Sequence, residues 1–185
     1  MKGEMLYKNK DYLKAVRNFK DASKIKKTKE IYISIYKCYK NIGNLVLLKA
    51  YTEEAITQYK NDAFFNKVLG ILSFREKEYR AALPFFETII SQNNKNLEIL
   101  IYKGLCLFHL KKFEESLLIF NYVLELDKNS IEPYYYIGLI YDNLKNYKTA
   151  LYYYKTFEKN NGINKNFKHS NWIRQRIGLL ERNIR

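Results

Sequence analysis

The sequence predicts an all-α fold built from repeated units. Three glycines, Gly70, Gly104 and Gly138, stand 34 residues apart, and such a fixed period is typical of repeat architectures. Only 7 glycines and 2 prolines occur among 185 residues, which favours helices over loops. The apolar fraction of 47% is large enough for a buried core. We therefore expect a short array of about five helical repeats.

Four further columns of residues keep the same step across three repeats. They hold, in order, an aromatic residue, a small residue, a second aromatic residue and an apolar residue. The columns are Tyr79, Phe113 and Tyr147; Ala82, Ser116 and Ala150; Phe86, Phe120 and Tyr154; and Ile89, Val123 and Phe157. Five columns in register indicate a true internal repeat rather than a chance recurrence.

This pattern resembles the tetratricopeptide repeat (TPR) family. The family's 34-residue repeat is a helix–turn–helix with a small residue midway along helix A, and with an aromatic, a small and a second aromatic residue along helix B. The resemblance implies a right-handed α-solenoid of antiparallel helix pairs, with about five repeats of which the first is truncated. The expected array covers residues 1–167, with repeats at approximately 1–28, 29–62, 63–96, 97–130 and 131–164.

The first repeat keeps the helix B pattern at Tyr12, Ala15 and Phe19, and Gly3 stands in the glycine column. Its helix A lacks the first turns, so we expect a preceding helix or domain. A truncated repeat exposes a packing face, and self-association through this repeat to a homo-oligomer is therefore one hypothesis.

The second repeat departs most from the pattern. Tyr36 replaces the small residue of helix A, while Leu48 and Thr52 replace the small and aromatic residues of helix B. The turn signal Asn41-Ile42-Gly43-Asn44 nevertheless separates the two helices of this repeat. From Ala63 onward the resemblance is specific.

Residues 168–185 are expected to form a C-terminal capping helix. An open array needs a terminal element with a polar outer face. Trp172, Ile173, Ile177 and Leu180 lie at helical spacing and are predicted to share the side that packs on the last repeat.

The sequence holds no pattern of catalytic or metal-ligating residues. Its two histidines, His109 and His169, have no cysteine or carboxylate partner at metal-ligand spacing. Cys38 and Cys106 fall in the same helix A column two repeats apart, too far for the ~7 Å limit of a disulfide, so we predict two buried free thiols. We therefore predict no enzyme, no metal site and no cofactor.

The resemblance implies that helix A side chains not used in packing line a concave groove. A carboxylate clamp of the kind some family members use is missing, since only Lys37 could contribute to it. The groove is expected to bind another protein through an apolar or aromatic peptide or an amphipathic helix. The alternative, that curvature or the chain's own cap buries these side chains, stays open. The predicted groove residues are Lys37, Phe64, Lys67, Val68, Ile71, Phe74, Ile101, Tyr102, Leu105, Phe108, Tyr135, Tyr136, Leu139 and Asn143.

The net charge of +14 is unevenly distributed. Residues 1–60 carry +8, residues 61–160 carry +1 and residues 161–185 carry +5. A basic scaffold for nucleic acid or an anionic membrane is thus an alternative function. The clusters lie far apart without an interleaved aromatic platform, which disfavours nucleic acid. The residues involved would be Lys24, Lys26, Lys27, Lys29, Arg174, Arg176, Arg182 and Arg185.

No apolar run approaches the ~20 residues that a membrane-spanning helix needs, so we predict no transmembrane segment. The first residues lack the apolar stretch of a secretory signal. We therefore expect a cytoplasmic protein, or a fragment of a longer one.

Overall fold

The computed structural model describes residues 2–161 and 170–183, and this part of the chain is helical without any strand. The predicted all-α fold is confirmed. The eleven helices in this part are α1 (Lys2–Lys8), α2 (Tyr12–Ile25), α3 (Lys29–Ile42), α4 (Leu45–Gln58), α5 (Ala63–Arg75), α6 (Tyr79–Gln92), α7 (Leu97–His109), α8 (Phe113–Leu126), α9 (Ile131–Asn143), α10 (Tyr147–Asn161) and α11 (Ser170–Asn183).

The helix starts follow the period of the sequence. Helices α5, α7 and α9 begin at Ala63, Leu97 and Ile131, the same interval that separates the three glycines. Helices α6, α8 and α10 begin at residues 79, 113 and 147, which again lie one period apart. One step of the sequence repeat therefore corresponds to one pair of helices.

The chain divides into two compact units, Met1–Glu76 and Lys77–Arg185. The first (unit 1) contains α1 to α5, in which each helix packs against the next along the chain. The second (unit 2) contains α6 to α11, which pack in the same consecutive manner. The division falls in the turn between α5 and α6, inside the stretch 63–96 that the sequence pattern treats as one repeat.

A close contact between a glycine and an aromatic ring recurs in the helix pairs. A Cβ atom placed on Gly104 would lie 2.7 Å from the ring of Phe120, and one on Gly138 would lie 2.7 Å from the ring of Tyr154. In unit 1 a Cβ on Gly3 would lie 2.8 Å from Phe19. The aromatic residue follows its glycine at the same interval in all three pairs. The glycine column and the second aromatic column of the sequence repeat therefore contact each other in the structure.

The second helix pair lacks this contact because its residue sizes are exchanged. Tyr36 stands in the glycine column of α3, and its ring packs edge-on against Phe64 of α5 with ring centroids 5.0 Å apart. Thr52 stands in the aromatic column of α4, where it is buried and its hydroxyl donates a hydrogen bond to the Leu48 carbonyl at 2.7 Å. In this pair the aromatic ring therefore belongs to α3 and packs against α5, not between α3 and α4.

The turn between the two helices of a pair contains one residue with a left-handed backbone. That residue is Gly43 in one turn, with φ of 77°, and a lysine in four others. After Gly43 and three of the lysines, the next residue donates its N–H back to a carbonyl near the end of the first helix, as Lys112 does to Leu107 at 2.9 Å. Lysine seldom adopts this conformation, so the sequence did not indicate it. The lysines are Lys10, Lys77, Lys111 and Lys145.

Helix α11 packs on α10 at the end of unit 2. Ile173, Ile177 and Leu180 are buried in the same apolar cluster as Tyr154 and Phe157 of α10. Trp172, which was also predicted on this side, packs edge-on against Tyr154 with ring centroids 5.9 Å apart, and 42% of its surface stays exposed. The predicted bounds 168–185 include residues that lie outside the described part of the chain.

Candidate partner-binding site

The predicted groove residues lie on helices α3, α5, α7 and α9. They divide between the two units. Unit 1 contains those from Lys37 to Phe74, and unit 2 contains those from Ile101 to Asn143.

Unit 1 contains an apolar cleft between helices α3 and α5 and the start of α4, which we call the unit 1 cleft. Four predicted groove residues, Phe64, Lys67, Val68 and Ile71, line it. The remaining lining residues were not in the predicted set, although two of them, Lys40 and Arg75, fall in the helix A columns that the family resemblance assigns to the groove. Those residues are Tyr36, Lys40, Leu45, Leu48, Leu72 and Arg75.

The volume of the unit 1 cleft is about 350 Å³, which is enough for a few apolar side chains of a partner. Val68 and Leu48 are buried beneath it, and the edge-to-face pair of Tyr36 and Phe64 forms one wall. Leu45 at the mouth is 54% exposed. The cleft therefore combines a fixed apolar floor with an accessible apolar edge.

The charged residues that line the unit 1 cleft are all basic. Lys40 lies in the last turn of α3 and Arg75 in the last turn of α5, and both are exposed. Lys67 lies two turns before Arg75 and is half-buried. None of the described residues that line the cleft is an aspartate or a glutamate. The cleft thus presents positive charge around an apolar floor.

Two predicted groove residues of unit 1 lie away from this cleft. Lys37 lines a separate cleft of about 330 Å³, formed by α1, α2 and α3, together with Glu4 and Tyr7. Phe74 is half-buried and is absent from the lining of either cleft. The structure therefore brings together only part of the predicted set.

In unit 2 the predicted groove tyrosines pack against the chain's own aromatic rings. Tyr102 stacks on Phe86 with ring centroids 5.4 Å apart, and Tyr136 stacks on Phe120 at 5.6 Å. Burial raises the pKa of Tyr136 to about 12. Each tyrosine follows its partner at the same interval along the chain, so this stacking repeats from one pair to the next.

Other predicted groove residues of unit 2 have little surface left for a partner. Leu105 and Tyr135 are buried, whereas Ile101 and Leu139 are half-buried. The ring of Phe108 packs edge-on against Tyr136, with centroids 5.3 Å apart. The apolar side chains predicted to line the groove of unit 2 are therefore packed mostly in the interior of this unit.

Helix α11 also covers part of the predicted groove in unit 2. Trp172 packs edge-on against Tyr135, with ring centroids 6.5 Å apart. Leu139 and Asn143 line a cleft of about 410 Å³ whose opposite side includes Trp172 and Leu179 of α11. The last helix of the chain therefore contributes to the burial of Tyr135.

A bidentate ion pair joins α11 to α9. Arg176 donates from Nε to Asp142 Oδ2 at 2.8 Å and from Nη2 to Asp142 Oδ1 at 2.6 Å. The Tyr154 hydroxyl donates to the same carboxylate at 3.1 Å. The hydrogen bond to Asp142 raises the pKa of Arg176, and burial raises the pKa of Tyr154. This arrangement neutralises one arginine of the predicted basic clusters.

Most other described residues of the two basic clusters also have partners within the chain. Lys24 pairs with Asp21 at 2.8 Å, and Arg174 pairs with Glu158 at 3.0 Å. Arg185 lies outside the described residues. These pairs leave few cations of the described part of the clusters to bind phosphate groups. The remaining pairs are Lys27 with Glu54, Lys29 with Asp62, and Arg182 with the carbonyl of Gly178.

The described residues contain no group of three or more His, Cys, Asp or Glu side chains that could hold a metal ion. Cys38 and Cys106 are buried free thiols, and burial raises their pKa to about 11 and about 12. His169 lies outside the described residues. Within residues 2–161 and 170–183, no helix is long and apolar enough to cross a membrane.

Several solved structures are similar to this chain at low sequence identity. A crystal structure of MamA aligns with a TM-score of 0.74 over 89% of this chain and 97% of that chain, at 19% identity. A MamA fragment from Desulfovibrio magneticus RS-1 aligns with a TM-score of 0.74 over 88% and 93%, at 16% identity. YrrB, described as a TPR protein with an unusual peptide-binding site, aligns with a TM-score of 0.75 over 85% and 82%, at 19% identity.

No protein-family model matches the chain, and no curated protein sequence matches it. The assignment of the fold depends on the helix pairs, on the glycine–ring contacts such as that of Gly104 with Phe120, and on the likeness to these solved structures. Together they show that the chain has the tetratricopeptide-repeat fold.

Proposed function

We propose that this protein is a non-enzymatic scaffold that binds a segment of another protein. The observation that carries the proposal is the unit 1 cleft, where an apolar floor of Leu48, Val68 and Ile71 meets an exposed edge at Leu45. The occupant is an apolar or aromatic peptide or one face of an amphipathic helix, whose side chains enter the cleft. The likeness to YrrB, described as having a peptide-binding site, supports a function of this kind.

Variants of the cleft edge and floor test this function. We expect Leu45→Ser combined with Ile71→Ala to lose partners that the unchanged protein captures from a native lysate, because both changes remove apolar contact area. Val46→Ser is the matched control, since Val46 is 79% exposed on the same helix turn but does not line the cleft. Quantitative mass spectrometry of the captured proteins measures the loss.

Equal capture by the cleft variant and the control would contradict the proposal. Thermal unfolding of each variant shows whether the fold is retained. Replacing Tyr102 and Tyr136 is a poorer test, because their stacked rings pack on Phe86 and Phe120 and their loss would disturb the interior of unit 2.

Two further properties belong to the proposal. Self-association through the first helix pair stays a prediction. Light scattering across a dilution series tests it, and a constant monomer mass would contradict it.

The buried free thiols Cys38 and Cys106 are compatible with a reducing compartment, and they support a cytoplasmic location.

A further inference from the structure

Positive charge borders the apolar floor of the unit 1 cleft. Among its described lining residues Lys40, Lys67 and Arg75 are charged, and none is acidic. At least five of the eight carboxylates of this unit pair with lysines that do not line the cleft. Those lysines are Lys14, Lys24, Lys27, Lys29 and Lys49.

We propose that the unit 1 cleft selects acidic protein segments, in which apolar side chains alternate with aspartate or glutamate. This inference rests on the proposed function and names the chemistry of its partner. The apolar side chains enter the cleft beside Ile71 and Leu45, and the carboxylates pair with Lys40 and Arg75 at its border.

A nucleic acid fits this cleft less well than an acidic peptide. Base stacking needs an accessible aromatic face, but the rings of Tyr36 and Phe64 pack edge to face on each other at 5.0 Å. The remaining floor is aliphatic, and ribose and phosphate groups placed there would lose their hydration without gaining hydrogen bonds. The phosphate charge alone therefore does not make a polynucleotide the better partner.

A second copy of this chain also fits less well. Residues 1–76 contain 16 basic and 8 acidic residues, a net charge of +8, and the whole chain carries +14. Two copies would repel each other at a basic cleft. An acidic segment of a different protein instead gains from the same charge, both in its rate of association and in its affinity.

Lys40 and Arg75 also have a structural role that the test has to separate from binding. Each lies in the last turn of its helix, where a cation offsets the partial negative charge of the helix end. If that were their whole role, replacing them would lower stability and leave the choice of peptide unchanged. The readout must therefore be the peptide preference rather than the stability.

A displayed library of random linear peptides, panned on the full chain, tests the inference. We expect the enriched peptides to combine leucine or phenylalanine with an excess of aspartate and glutamate. An enriched peptide, titrated by fluorescence anisotropy, should bind Lys40→Gln/Arg75→Gln about three- to tenfold more weakly. Lys26→Gln/Lys60→Gln is the control, because it removes the same charge from exposed lysines of unit 1 away from the cleft.

Each outcome decides one of the two proposals. A Glu→Gln version of the peptide should bind more weakly at about 50 mM NaCl, and the difference should shrink at about 300 mM. Peptides that need Leu45 and Ile71 but show no acidic preference would overturn this inference and leave the proposed function intact. Absence of any peptide binding would overturn both, and competition by single-stranded oligo(dT) at equal affinity would favour nucleic acid instead.

Discussion

The contact between a glycine and an aromatic ring sets the distance between paired helices. The ideal Cβ position on Gly104 lies 2.7 Å from the Phe120 ring, and Phe120 is completely buried. A larger residue would therefore have to displace a ring that has no space to move into. Glycine at position 104 therefore allows the close packing of the two helices, although glycine is an unfavourable residue within a helix.

We expect Gly104→Ala to lower the free energy of unfolding by about 1–2 kcal/mol. Because the added methyl group would lie 2.7 Å from a buried ring, we expect an overpacking cost of ~2–3 kcal/mol, from which the gain of ~1 kcal/mol in helix propensity is subtracted. Gly178→Ala in α11 is the matched control, since a Cβ there meets nothing within 4 Å, and it should raise stability. Urea unfolding followed by circular dichroism measures both, and a stabilised Gly104→Ala would contradict the packing account.

At the scale of the element, the turns within helix pairs share one backbone conformation but differ in residue type. Gly43 has φ of 77°, and Lys111 has φ of 59° in the corresponding position. Glycine adopts this conformation without a steric penalty, whereas lysine does so at a cost. The turn is therefore maintained by its hydrogen bonds and by the helices on either side.

We expect Gly43→Lys to cost about 1 kcal/mol of stability, because the new side chain crowds the following carbonyl in the left-handed region. Lys111→Gly should gain about 0.5 kcal/mol, since the greater freedom of glycine in the unfolded chain offsets part of the relief. Urea midpoints of the two variants measure these effects. A stabilising Gly43→Lys would show that the turn does not keep its positive φ.

A second prediction at the scale of the element concerns the ion pair between Asp142 and Arg176. Only 11% of the Asp142 side chain and 28% of the Arg176 side chain are exposed. Asp142→Ala leaves a half-buried guanidinium without its bidentate partner, and we expect a loss of about 1–3 kcal/mol together with faster hydrogen exchange in α11. Glu158→Ala removes the more exposed pair with Arg174 and should cost only about 0–1 kcal/mol. Similar rates of hydrogen exchange in α11 of both variants would contradict the expectation that Asp142 holds α11 against α9.

At the scale of the whole molecule, the regular spacing made the fold predictable. The step between Gly70, Gly104 and Gly138 recurs in the starts of α5, α7 and α9. Residue size at a fixed spacing is visible in a sequence, and the packing of one helix pair follows from it. The left-handed lysine turns were not visible, because nothing about lysine indicates that conformation.

The candidate site was less predictable than the fold. Tyr102 and Tyr136 fall in groove columns, but a sequence does not show whether a ring faces a partner or the preceding helix. Their own recurrence at the repeat period, and their constant interval from Phe86 and Phe120, was the signal that could have indicated packing. Lys40 and Arg75 fall in the family's groove columns, but a sequence does not show that they border one apolar cleft without an acidic residue in its lining.

The tyrosine at position 36 affects how homologous chains should be compared with this one. It breaks the glycine column, yet its ring packs on Phe64 and forms a wall of the unit 1 cleft. A homologue with glycine there would have a wider and shallower depression, however well it matched elsewhere. Orthologues that share the ligand should therefore retain an aromatic pair at positions 36 and 64, and those that lost one ring should have changed the other.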